Sequence, residues 1–190
     1  MRDDMLALYL LLGQTAERAV WQQPSVSSAE PLLLGPGYDA APAVPETARR
    51  ASRAATAYRL FFVFETYLRE LVVDVLGKAA EAAGKTWWDL VPGDLQTQVA
   101  KLEETEDTKA WMALGSRDKS ALMTYPQLLA VIDQTWSSGF DELVRDKSLV
   151  NEARLVSHLR NTVAHMTDIP EEEINRVRQV MRDWFRVIAP

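Results

Sequence analysis

The stretch LFFVFETYLRELVVDVLGKAAEAAG, residues 60–84, decides the fold. Leu60, Val63, Phe64, Tyr67, Leu68, Leu71 and Val72 recur at intervals of three and four, the spacing that lines one face of an α-helix, so this stripe is expected to be buried. The preceding residues, ETARRASRAATAYR (46–59), are rich in alanine and arginine and extend the helix upstream. The pattern therefore predicts one long helix from Glu46 to Ala83, with Gly84 able to end it.

Downstream, Trp87, Trp88, Leu90, Val91 and Pro92 form an apolar cluster, read as a plug over one end of the core. Base stacking is the other use open to those rings. Leu95 to Lys101 predicts a short helix, followed by an acidic face or loop containing Glu103, Glu104, Glu106 and Asp107. Pro126 suits the first turn of the next helix. Its inward residues are Leu128, Leu129, Ile132, Trp136, Phe140 and Leu143, with a bend or break at Ser137–Gly139. A further helix is expected over Asn151 to Val163. A last one begins near Pro170 with three glutamates in its first turn, where the helix dipole favours negative charge. Ile174, Val177, Met181, Trp184 and Ile188 form its buried stripe. No stretch alternates as a strand does, so the chain reads as all-α, an up-and-down helical bundle with an additional N-terminal helix.

Before the long helix, residues 22–45 are punctuated by Pro24, Pro31, Gly35, Pro36, Gly37, Pro42 and Pro45, and read as a linker or long surface loop. Residues 1–21 form a separate helical arm, and residues 46–190 the main domain. The arm's apolar run, Met5 to Leu12, follows Asp3 and Asp4 rather than a basic stretch, which favours an amphipathic helix over a secretory leader. Its destination is open: its own subunit, a neighbour, or a partner. No apolar run reaches the ~20 residues that span a bilayer.

Composition narrows the chemistry. The 190 residues can bury roughly 70% of their unfolded surface, enough for one core without staples. There is no cysteine, which excludes disulfides, thiolate metal sites and a cysteine nucleophile, and fits a reducing, cytoplasmic setting. The two histidines are His158 and His165, so a two-histidine metal site would have to use both. The formal charge of −6 gives no general attraction to nucleic acid; any such binding needs a local positive patch.

The chemistry-bearing segment is ARLVSHLRNTVAH, 153–165. On a straight helix, Leu155, Val156, Leu159 and Val163 share one side. Arg154, His158, Asn161, Thr162 and His165 share the other. Arg160 lies about 140° around from His165 at 100° per residue. The two can meet only if the helix breaks before His165, if the arginine reaches round, or if a second copy completes the site. An Arg with a His suits RNA: imidazole can take a proton from a 2′-hydroxyl and return one to a leaving oxygen. Guanidinium matches phosphate oxygens and stabilises developing charge. No metal or other cofactor is needed for this route. As a pattern alone, an Arg–His pair is also what a satisfied surface or interface contact looks like.

RNTVAH at 160–165 resembles the Arg–polar–x–x–x–His signature of HEPN (higher eukaryotes and prokaryotes nucleotide-binding) domains. Residues 123–144 and 149–184 look like the C-terminal part of the Swt1-like HEPN group, and FFVFETYLRELV (61–72) with WWDLVP (87–92) like its early part. The resemblance runs roughly from Thr56 to Ile188. It implies a helical bundle that dimerises through its motif helices. It also implies a metal-independent endoribonuclease, often a toxin or antiviral-defence effector, that leaves 2′,3′-cyclic phosphate and 5′-hydroxyl ends. RNA, a second copy of the chain, and an antitoxin or other defence-system protein are the implied partners. Arg160 and His165 map onto the motif residues and Asn161 onto the supporting polar residue. Glu65 is the candidate acidic residue facing them, either orienting an imidazole or pairing with Arg160. Arg154 and His158 are candidate substrate contacts. Thr167 stands where some toxin members carry a modified tyrosine, which puts that modification in doubt. Other members keep the fold as non-catalytic interaction or nucleic-acid-binding modules, the alternative here. Arg49, Arg50 and Arg53 could then add a basic patch, although a charge run is commonly a solvated face.

Overall fold

In the computed structural model, residues 30–107 and 118–188 are described; the N-terminal arm (1–21) lies outside them. The chain divides into two units, residues 1–52 and 53–190.

In the first unit the proline-rich segment contains an element the sequence reading missed. Strands β1 (Leu33–Gly35) and β2 (Tyr38–Asp39) pair antiparallel. Pro36 followed by Gly37 at φ +76° supplies the turn, since only glycine adopts that conformation without cost. Asp39 closes the hairpin by accepting from the backbone N–H groups of Leu32 (2.8 Å) and Ala41 (2.9 Å). Strands of three and two residues are too short to display alternation.

Helix α1 spans Pro45–Glu81. Gly84, at φ +64°, ends it as expected: its N–H donates to Glu81 O and that of Lys85 to Ala80 O, which satisfies two carbonyls the helix leaves over. The buried stripe is Phe61, Phe64, Leu68, Leu71, Val72, Val75 and Leu76. Val63 is a correction, at 51% exposed. It sits at the edge of the apolar arc, where the arc turns away from the other helices.

Trp87 and Trp88, in a 3₁₀ turn, pack half-buried against the core, and Lys119 Nζ lies 4.9 Å from the Trp88 ring centroid. Helix α2, Gly93–Asp107, is longer than expected and takes in the acidic run. Asp118 caps α3, Lys119–Leu122, through the Ser120 N–H at 3.0 Å. Helix α4, Tyr125–Gln134, opens with a Thr124–Gln127 capping box and Pro126 in its first turn. Thr135 to Gly139 break the chain as anticipated, with Gly139 at φ +118°, before α5, Phe140–Val144. Leu143, expected inward, is 42% exposed.

The single helix expected over Asn151–Val163 is two. Helix α6 is Ser148–Leu155 and α7 is Ser157–Ala164, separated at Val156 (φ −89°, ψ 0°). The Tyr125 hydroxyl, buried beneath α1, donates to Ala153 O at 2.8 Å, one of the carbonyls left over where α6 stops. Burial, with a smaller contribution from the Glu65 charge, pushes that phenol well above its ordinary pKa, so it remains a donor. Tyr125→Phe should cost about 1–2 kcal/mol by orphaning this carbonyl. The expected fall in Tm is about 4 °C, read by circular dichroism. Leu155, at the break, is 69% exposed.

Helix α8, Glu171–Ile188, buries Ile174, Val177, Val180, Met181 and Trp184. Helix α6 packs between α4 and α8, and α8 also packs on α5. The second unit is thus an all-α bundle, as expected. Among the described residues no helix is long and apolar enough to cross a membrane.

Candidate active site

A cleft lies between helices α1 and α7. Its volume is about 240 Å³, and it is lined by α1 residues from Tyr58 to Arg69 and by Arg160, Val163 and Ala164 of α7. Phe61 and Val163 are buried and form an apolar floor. One wall is charged. Glu65 Oε2 accepts from Arg160 Nε at 3.1 Å, and Glu65 Oε1 accepts from Arg69 Nη2 at 3.2 Å. Arg69 Nε in turn donates to the backbone carbonyl of Ser120 at 2.7 Å, which ties the wall to α3. The Glu65 side chain is 15% exposed, so its attraction to the arginines is screened less than at an open surface. Two guanidiniums share one carboxylate, and the wall carries one surplus positive charge. Glu65 thus contacts Arg160, one of the two partners considered for it.

His165 is elsewhere. Helix α7 ends at Ala164, and His165 is its exposed C-cap, not a lining residue of the cleft. Its imidazole has no hydrogen-bond partner among the described residues. The N–H of Met166 donates to Val163 O and that of Thr167 to Thr162 O, the double bond pattern that usually closes on a glycine. Here the residue in left-handed conformation is Met166, at φ +58° and 92% exposed. Met166→Gly should relieve that backbone cost and raise stability by a net ~0.5–1 kcal/mol. A thermal melt checks this.

Asn161 is exposed on the same open side of α7 as His165. His158, also exposed, has Nδ1 2.8 Å from Leu155 O, a contact that is a hydrogen bond when Nδ1 carries the proton. Arg154 is engaged away from the cleft: its Nη2 donates to Asp133 at 2.6 Å. Lys147 binds the same carboxylate, and the two cations hold Asp133 below the usual carboxylate range. Arg49 pairs with Glu46 and Arg53 with Asp168 at 2.6 Å, so the basic run is partly neutralised.

The structure therefore brings Arg160 and Glu65 together, and keeps Asn161 and His165 on an adjacent open face. Sequence reading missed Arg69 and the aromatic rim, Tyr58 and Phe62. Their signal was present: residues 58, 62, 65 and 69 fall at i, i+4, i+7 and i+11, one helical face beside the buried stripe. Among the described residues, no group of three or more His, Cys, Asp or Glu side chains could hold a metal ion.

The sequence model of the family described as Swt1-like HEPN matches residues 59–189. No curated protein and no solved structure matches the chain. The matched span contains α7, the cleft residues Glu65, Arg69 and Arg160, and nearly all of the helical bundle. The chain belongs to the Swt1-like HEPN family.

Proposed function

We propose that this protein is a metal-independent endoribonuclease that works as a homodimer, with its active site completed across the twofold axis. The observation that carries the reading is the placement of the motif pair. Glu65 holds Arg160 in the cleft, while His165 stands uncommitted at the exposed end of the same helix. Within one chain His165 does not line the cleft that holds Arg160. A second copy facing α7 brings its own His165 toward the first copy's arginine. The exposed Leu155, at the end of α6, supplies apolar surface for that contact.

In the reaction, His165 takes the proton from a ribose 2′-hydroxyl. The 2′-oxygen attacks the adjacent phosphorus, and the bond from phosphorus to the 5′-oxygen breaks. The same imidazolium then returns its proton to that leaving oxygen. Arg160 binds the non-bridging phosphate oxygens and stabilises the charge they gain. Nη1 and Nη2 of Arg160 serve this role, since Nε is the atom given to Glu65. Asn161 supports the imidazole or phosphate. The products are a 2′,3′-cyclic phosphate and a 5′-hydroxyl. A toxin or defence-effector role, opposed by an antitoxin, is part of the same proposal.

The test is cleavage of end-labelled structured RNA in excess chelator by wild type, Arg160→Ala and His165→Ala. Loss in both variants supports the reading. Equal activity in all three traces the cleavage to a contaminant. Dimerisation without cleavage in the wild type identifies an interaction module instead.

A further inference from the structure

We propose that Tyr58 and Phe62 form a nucleobase-stacking subsite for the RNA nucleotide whose phosphate lies at the arginine wall, and that Arg69 is a positioning residue for that wall. The inference rests on the nucleic-acid reading of the cleft, and it assigns a contact that the Arg160–His165 chemistry does not require.

The first observation is the rim. Tyr58 and Phe62 are 60% and 59% exposed, with ring centroids 6.1 Å apart and planes tilted by 31°. Large aromatic rings are normally buried for their apolar area. These two sit one turn apart on α1 and make a continuous ledge at the mouth of the cleft. The second observation is charge. Glu65 spends its oxygens on Arg160 and Arg69, so the wall presents donors: Nη1 and Nη2 of Arg160, and Nη1 of Arg69. An occupant must therefore be anionic with several acceptor oxygens at one end, and flat and apolar at the other. A nucleotide has that make-up. The rise from Phe62 to Arg69 is about 10 Å along the helix, on the scale of one extended nucleotide.

Arg69 acts through Glu65. Its anchor to Ser120 O fixes one oxygen of the carboxylate, and the other oxygen fixes Arg160. Because a stacking ledge accepts any π-face, the subsite demands a base without strongly selecting which one.

The experiment uses the full chain and a labelled 2′-O-methyl RNA, which binds but cannot be cleaved, with binding followed by fluorescence anisotropy. A series of the same strand carries one abasic residue at each position in turn. In the wild type, one abasic position should weaken binding about tenfold. Tyr58→Ala and Phe62→Ala should weaken the intact strand to that level and abolish the abasic penalty. Arg69→Gln should weaken every strand alike and leave the penalty in place, while Arg69→Lys restores part of the loss. An abasic penalty that persists in both aromatic variants overturns the proposal. So does a wild type that fails to distinguish intact from abasic strands. Conversion of a wild-type dimer to monomer by either aromatic substitution, seen by sedimentation, would instead make the ledge a subunit contact. Since the strand has no free 2′-hydroxyl, failure of the ribonuclease reading shows separately, in the cleavage assay.

Discussion

Replacing Arg160 by alanine is expected to lower RNA cleavage by about a hundredfold or more, the usual consequence of removing one donor aimed at transition-state charge. The fold should survive. Glu65 keeps Arg69 as its partner, so no carboxylate is stranded, and the stability cost should be about 1 kcal/mol. His165→Ala should lower cleavage by about 10²–10⁴ through loss of the general base, with a stability change near zero, because the ring is exposed. The decisive result comes from mixing the two inactive proteins. If each active centre takes Arg160 from one copy and His165 from the other, half of the reassembled dimers carry both defects. Each of these has one intact centre, and activity should return to about a quarter of wild type. If both residues act from the same chain, every centre in the mixture lacks one of them and nothing returns. Steady-state cleavage after mixing, with sedimentation to confirm exchange, separates the two outcomes.

The complementation experiment turns on a feature that the residues alone left open. On a straight helix Arg160 and His165 diverge by about 140°. Three remedies were available: a break, a long reach, or a second copy. The structure does end α7 before His165, yet it leaves the imidazole outside the cleft that holds Arg160. A break exists, yet His165 does not line the cleft that holds Arg160, and the second copy is the remedy the proposal adopts. Glu65 was legible as an acid on the opposing helix, but its contact was not. Which of two roles it takes depends on the distance between α1 and α7, which side chains elsewhere in the bundle set.

The same distinction runs through the fold. The i, i+3, i+4 repeat marked α1, and Gly84 marked its end, because both signals are local. The break at Val156 has no local signal: neither glycine nor proline lies between Ser148 and Ala164. It is matched by a hydrogen bond from Tyr125, 28 residues away, to Ala153 O. Val63 and Leu143 were expected to be buried because apolar residues on a helical wheel look alike at its centre and its edge. Only the direction of the neighbouring helices separates the two. The formal charge of −6 likewise describes the whole chain, whereas the cleft wall holds two guanidiniums against one carboxylate.

Two neighbouring phenylalanines give the largest contrast in stability. Phe64 is fully buried, with its ring centroid 5.8 Å from Tyr125, 5.7 Å from Trp184 and 6.2 Å from Phe185. Phe64→Ala removes the ring on which helices α1, α4 and α8 converge. The lost burial and the cavity left behind should cost about 3–5 kcal/mol. For a chain of this size that lowers Tm by about 10 °C. Phe62 is two residues away and about 160° from the core direction, and Phe62→Ala should change stability by no more than about 0.5 kcal/mol. Thermal melts of the two variants therefore read the orientation of α1 directly. Equal, large losses would mean that Phe62 is also buried, for instance beneath a second copy, and melting would then depend on protein concentration. A small change at Phe64 would mean that α1 is rotated, and Glu65 would no longer face Arg160. The expected asymmetry fixes both the core face and the cleft face of the helix, because residues 64 and 65 are held in register by the same backbone.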